Sequence, residues 1–264
     1  GGDLIGTRRG VTKRFGRRRR IFSHEGGHRM SKGEKRDRFN SPAVATVRFV
    51  AQRGLLKPLV WSLVRVTVYG KDQIADLDRP FIAVANHSSH LDAPLVIGAL
   101  PRPLARYLAA GAAADYFFDV QWRKWLTTLF FNAFAIERNS EGKRSGSSRS
   151  LLERRVPLLI FPEGGRSKTG VMGHFKHGAA ALSIATKVPC LPIALVGASD
   201  AMPRGVNWPK RGRLPVAVVF GAPMLPAEGD TAEDFSNRLA DEVRRLHASV
   251  QPHPSWAHAE KGTT

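Results

Sequence analysis

From about position 80 onward, short apolar runs alternate with longer mixed stretches. The runs at 81–85 (FIAVA), 105–109 (ARYLA), 133–137 (AFAIE), 156–161 (VPLLIF), 191–196 (LPIALV) and 214–220 (LPVAVVF) read as strands buried on both faces. Between them, 92–99, 121–131, 145–153 and 177–187 read as helices. The stretch 231–249 has an acidic first turn and basic later turns, which suits a final helix. This alternation predicts an α/β fold: a mixed, mostly parallel sheet with helices on both faces. No internal repeat is visible.

Before this core the pattern changes. In 42–68 apolar residues recur, but Arg48, Arg53, Lys57 and Arg65 interrupt them, and Gly54 and Pro58 predict two short helices joined by a bend. An apolar face holding Phe49 and Trp61, flanked by cations, fits the plane of an anionic membrane surface. The alternative is an ordinary helical pair packed on the domain. Residues 1–40, rich in Gly, Arg and Lys with RRRR at 17–20, read as a disordered basic tail. Met30 is a candidate native start. The expected organisation is a tail over 1–40, a two-helix membrane-surface segment over 41–70, one domain over 71–250 and a flexible end over 251–264.

Composition sharpens this picture in two ways. The formal net charge is +19, and residues 1–38 alone hold thirteen Lys/Arg against four Asp/Glu. Such a surface attracts polyanions: nucleic acid, anionic headgroups or phosphorylated substrates. The single cysteine, Cys190, excludes an internal disulfide and a zinc site built on several thiolates. No secretory signal and no apolar run of membrane-spanning length is expected.

In open α/β sheets, ligands bind beyond the carboxyl ends of the strands. Three polar clusters follow predicted strands: NHSSHLD (86–92), ERNS (137–140) and FPEGGRS (161–167). His87 and Asp92 would lie about 140° apart on a continuous helix and would not meet there. If His87 sits in the turn after the strand and Asp92 opens the next helix, the carboxylate can fold onto the imidazole. It would then fix the tautomer and leave the other ring nitrogen free to take a proton from a hydroxyl. Gly164 and Gly165 let backbone N–H groups approach an anion. Arg166 can fork onto phosphate oxygens, Glu163 can accept from a hydroxyl, and Arg138 and Lys176 add cations. This set suits a phosphorylated polyol.

Three other patterns carry less. His87, His90 and Asp92 could share a metal, but no further ligands follow nearby. His24-Glu25-Gly26-Gly27-His28 matches a zinc-protease pattern, yet its two glycines oppose the helix that pattern needs. Gly197-Ala198-Ser199-Asp200-Ala201 lacks the last glycine of a nucleophile elbow and reads as a turn.

Taken in order, these blocks resemble the lysophosphatidate (1-acylglycerol-3-phosphate) acyltransferase family of glycerophospholipid acyltransferases. Asn86, His87, Ser89 and Asp92 match its N-H-x-S-x-x-D block. Phe161, Pro162, Glu163, Gly164, Arg166 and Ser167 match F-P-E-G-T-R-S, with Gly165 in place of threonine. Ile136, Glu137 and Arg138 match part of a second block, in which Asn132 and Ala135 depart from the pattern. Val188, Pro189, Pro192, Ile193 and Leu195 resemble the fourth block, and Phe175, Lys176 and Gly178 match F-K-x-G. A lysine that many relatives carry between the first two blocks is absent from YLAAGAAADYFF.

The resemblance implies that His87, helped by Asp92, deprotonates a glycerol hydroxyl, which attacks the thioester of acyl-CoA or acyl carrier protein directly. It implies that Arg138, Glu163, Gly164, Gly165, Arg166 and Lys176 hold the acceptor, a lysophospholipid. It implies no metal and no cofactor. It also implies a peripheral protein on the cytoplasmic face of an anionic membrane. Acylation of another lysophospholipid or a glycolipid is the nearest alternative. A basic nucleic-acid-binding protein is a more distant one, since no stacking motif or recognisable binding module accompanies the charge, and no specific nucleic-acid partner is expected.

Overall fold

The computed structural model describes residues 41–113, 134–136 and 145–250. The expected tails 1–40 and 251–264, the helix candidate 121–131, the zinc-protease-like pattern at 24–28 and Arg138 lie outside the described residues.

Seven strands form the described sheet: β1 (Arg65–Tyr69), β2 (Ile82–Ala85), β3 (Ala109–Ala113), β4 (Phe134–Ile136), β5 (Leu158–Ile160), β6 (Cys190–Val196) and β7 (Pro215–Phe220). Their order is β1-β7-β6-β2-β5-β3-β4. Every neighbouring pair is parallel except β6–β7, where Val196 lies opposite Ala217. The mixed, mostly parallel α/β sheet is therefore as the pattern predicts.

The α-helices among the described residues are α1 (Pro42–Ala51), α2 (Lys57–Leu63), α3 (Asp92–Ala99), α4 (Arg102–Ala105), α5 (Ser145–Glu153), α6 (Gly178–Thr186), α7 (Ala198–Ala201) and α8 (Ala232–Ala248). Strand periodicity splits the core into two layers. Ala83, Ala85, Leu191, Ile193, Leu195 and Val218 face one, with α2 and α3. Ile82, Val84, Cys190, Ala194, Val196, Ala217 and Val219 face the other, with α5, α6 and α8. The final helix starts at a capping box, in which Thr231 and Asp234 satisfy each other's backbone N–H groups.

Three expectations need correction. The two helices expected in 42–63 are present as α1 and α2, but a π-turn at Gln52–Leu56, not a bend, joins them into one helical run. Pro58 explains it: proline has no N–H and crowds the carbonyl four residues back, and a wider turn avoids that clash. Residues 65–69 form an additional edge strand, β1, because RVTVY alternates exposed and half-buried positions in register with β7. The strand expected at 105–109 begins at Ala109 instead, since Pro101 and Pro103 start the short helix α4. Its sequence, AAGAA, has little intrinsic strand preference, and pairing with β4 and β5 decides its conformation.

The helical run grips the far end of α3. Arg53 donates from Nη1 to the Gly98 carbonyl (3.0 Å) and from Nη2 to the Leu100 carbonyl, which places a cation at that helix's negative end. Trp61 packs against Gly98, where an added Cβ would lie 2.5 Å from two ring carbons. Gly98→Ala should therefore cost on the order of 1–3 kcal/mol through overpacking. Thermal unfolding checks this: the midpoint falls, and pairing the change with Trp61→Leu recovers part of the loss.

Candidate active site

The candidate site lies at the carboxyl ends of β2, β5 and β6. The chain leaves β2 at Ala85, and the Asn86 side chain extends that strand's pairing. Its Nδ2 donates to the Leu195 carbonyl (2.9 Å), and its Oδ1 accepts from the Leu195 N–H (2.7 Å). This amide pins the start of the loop to β6.

Asp92 is the first residue of α3 and is fully buried. Its Oδ2 accepts from the backbone N–H groups of Ser88 (2.6 Å) and Ser89 (2.8 Å) and from His87 Nδ1 (2.8 Å). A carboxylate has no proton to give, so the ring proton sits on Nδ1 and Nε2 is left as the basic nitrogen. The His87 side chain is 22% exposed, whereas that of Asp92 is fully buried. Phe161 stacks on the imidazole, with ring centroids 4.2 Å apart, and fixes its plane. Ser89 Oγ donates to the Met202 carbonyl (2.8 Å), so this hydroxyl is engaged in holding the loop.

The FPEGGRS loop is fastened directly to the histidine. Ser167 N–H donates to the His87 carbonyl (2.8 Å), and the His87 N–H donates to Glu163 Oε1 (2.7 Å). Glu163 Oε2 accepts from the Gly173 N–H (2.8 Å). One carboxylate thus ties the histidine loop to two points of the 161–173 segment. Gly164 adopts a left-handed backbone, and a Cβ there would meet Lys176 Nζ at 2.7 Å. The absence of a side chain at Gly164 thereby admits the Lys176 ammonium to the loop. Gly165, in contrast, faces open space within 4 Å and has an ordinary backbone, so nothing here excludes a threonine.

Of the expected site residues, His87, Asp92, Glu163, Gly164, Gly165, Arg166 and Lys176 lie on this connected pair of loops. Arg138 lies outside the described residues. Sequence reasoning passed over Asn86, Phe161 and Gly173 as positioning groups. The first two stand inside the quoted blocks, but only the fold shows what they touch. Among the described residues, no group of three or more His, Cys, Asp or Glu side chains is placed to hold a metal ion. Where a turn was expected at 197–201, Gly197 adopts a left-handed backbone and Ala198–Ala201 form the short helix α7.

His90 sits beside this constellation. Burial holds its imidazole below the ordinary range, the Arg166 guanidinium and His87 push it further down, and Asp92 opposes them. A histidine lowered on folding binds its proton more readily in the unfolded chain. Its contribution therefore penalises the native state as pH falls through the ordinary imidazole range and vanishes above it. His90→Gln should flatten the dependence of the unfolding midpoint on pH between about 7 and 5. A calorimetric pH series comparing the two proteins checks this.

Fold and site together define a class. Residues 65–196 match the acyltransferase family model, and the chain belongs to that family. Among curated relatives, it is 30% identical over 190 residues to a 1-acyl-sn-glycerol-3-phosphate acyltransferase of Chlamydomonas reinhardtii, covering 71% of this chain and 53% of the relative. It is 32% identical over 196 residues to the human 1-acyl-sn-glycerol-3-phosphate acyltransferase alpha, covering 71% and 64%. The chain thus spans between about half and two thirds of these relatives' length. The crystal structure of the 1-acyl-sn-glycerophosphate acyltransferase from Thermotoga maritima shares the fold, with a TM-score of 0.61, 23% identity and 80% of each chain covered.

Proposed function

We propose that the protein is an O-acyltransferase that moves a fatty acyl group from acyl-CoA or acyl carrier protein to the free hydroxyl of a lysophospholipid. The best-supported acceptor is 1-acylglycerol-3-phosphate, which would give phosphatidic acid. The observation that carries this reading is the 2.8 Å contact between His87 Nδ1 and Asp92, in a loop bonded backbone to backbone with the FPEGGRS segment.

His87 Nε2 takes the acceptor's hydroxyl proton as that oxygen attacks the thioester carbonyl. Asp92 stabilises the imidazolium that forms. The tetrahedral intermediate then expels the thiolate, which recovers the proton from the imidazolium, leaving an ester and a free thiol. Direct attack is supported by the side chains at hand: Ser89 Oγ is spent on Met202, and burial pushes the Cys190 thiol up to about 12. Arg166, Lys176 and the Gly164–Gly165 backbone would bind the acceptor's phosphate, with Arg138 as a further cation and Glu163 presenting its remaining lone pairs to the glycerol.

Val44, Val47, Val50, Leu55 and Leu59 are exposed on the α1–α2 run, which supports peripheral contact with a membrane, on this reading at its cytoplasmic face. No helix among the described residues is long and apolar enough to cross a membrane. The test is thiol release from acyl-CoA on adding lysophosphatidate, with mass spectrometry of the lipid product. Release only with another lysophospholipid or a glycolipid would reassign the acceptor. Release with none would reject the reading.

A further inference from the structure

The single antiparallel junction of the sheet has a topological effect. Because β7 runs against β6, the segment entering β7 emerges at the carboxyl ends of β2, β5 and β6, on the rim that carries His87. β1 is parallel to β7, so the end of α2 reaches the same rim. The connecting segment 203–213, PRGVNWPKRGR, runs between these two places. At one end, the Met202 carbonyl accepts from Ser89 Oγ, and Arg204 Nη1 lies 3.3 Å from the Arg166 carbonyl. At the other, Arg213 Nη2 donates to the Trp61 carbonyl at the end of α2 (2.9 Å).

Between these anchors the segment exposes what a soluble loop ordinarily hides. Trp208 is 60% exposed and Val206 40%. Val171, on the neighbouring 167–173 loop, is 71% exposed. Gly170 of that loop lies against Ser199 of α7, just upstream of this segment. Arg204, Lys210, Arg211 and Arg213 accompany Trp208, and no Asp or Glu occurs from 201 to 227. An indole next to a cluster of cations fits a boundary that is apolar below and anionic above. Nucleic acid would satisfy the cations but not Val171 and Val206.

We propose that residues 203–211 form a membrane-docking loop, in which Trp208 enters the headgroup boundary of an anionic phospholipid bilayer and Lys210 and Arg211 bind its phosphates. The loop holds the His87 crevice against the lipid from which an acceptor would come. This last step rests on the acyltransferase reading; the docking itself does not. The loop would act together with the α1–α2 run, to whose end the segment is fastened by Arg213.

The test uses the full chain with a single reporter. Cys190 is buried and its thiol is pushed up to about 12, so a cysteine introduced by Trp208→Cys takes an environment-sensitive dye selectively. Anionic vesicles of phosphatidylcholine with phosphatidylglycerol should shift that dye to the blue, and added salt should reverse the shift. The same dye at Ala185→Cys, at the end of α6 on the opposite rim, should not respond. In the otherwise native chain, Trp208→Ala should weaken vesicle binding about ten-fold. Removing Lys210 and Arg211 should cost roughly five-fold for each cation.

A silent dye at 208 on bound vesicles, a response equal to that at 185, or a response to duplex DNA but not to vesicles would each overturn the proposal. A separate assay decides the link to catalysis. The Lys210→Ala/Arg211→Ala protein should lose rate on vesicle-borne lysophosphatidate and keep it on a dispersed short-chain acceptor. If no acceptor is acylated at all, the acyltransferase reading fails while the dye still decides docking.

Discussion

His87→Ala should lower turnover by about 10²–10⁴-fold, the usual range for loss of a positioned general base. The effect falls on kcat, because the ring is read here as acting on the hydroxyl proton rather than holding the acceptor. Stability changes little in comparison, since the side chain is partly exposed and its main apolar contact is Phe161. Asp92→Asn gives a loss of similar direction by another route. An amide oxygen in place of Oδ2 could still accept the three N–H bonds, but it carries no charge to stabilise an imidazolium. The amide nitrogen would then occupy the position of Oδ1, which is buried with no hydrogen-bond partner among the described residues. Because the two residues act as one unit, the double substitution should be no slower than His87→Ala alone. Steady-state thiol release with the three proteins checks this. An unchanged rate for His87→Ala would remove the mechanism.

Glu163→Ala is expected to be nearly as damaging, about 10²-fold in kcat, although this carboxylate need not touch the reacting atoms. It holds the His87 N–H and the Gly173 N–H at once, so its loss frees the histidine loop from the 161–173 segment. Glu163→Gln is the more discriminating change. One amide oxygen can still accept from one of these N–H groups, but the NH2 group would face the other donor. Partial rescue of kcat by glutamine, with circular dichroism and unfolding midpoints near the parent's, marks a positioning role. A rise in KM alone, with kcat intact, would mean that Glu163 acts only on the acceptor.

Much of this was legible beforehand, for identifiable reasons. Strands buried on both faces, such as IAVA and CLPIALV, announce themselves as apolar runs, and the helix at 231–249 carries its own cap signals. The meeting of His87 with Asp92 was legible because a strand end followed by a helix start leaves few other places for that carboxylate. Other features depend on contacts distant in sequence. β1 is half-exposed and borrows its identity from β7. β3 is alanine-rich and becomes a strand through its neighbours. The π-turn at 52–56 is the chain's answer to Pro58, where proline was expected to break the helix. Nor does any local pattern reveal that Glu163 reaches back to the His87 N–H across 76 positions.

The placement of α3 carries a mechanical consequence. This helix is about 12 Å long at 1.5 Å per residue. One end supplies the acid that steers His87. The other is clasped by Arg53 and Trp61. It is thus a short rod with the His87–Asp92 contact at its tip and the α1–α2 run at its base. A push on that run would therefore meet, in one helix, both the packing on the sheet and the carboxylate that holds the His87 ring.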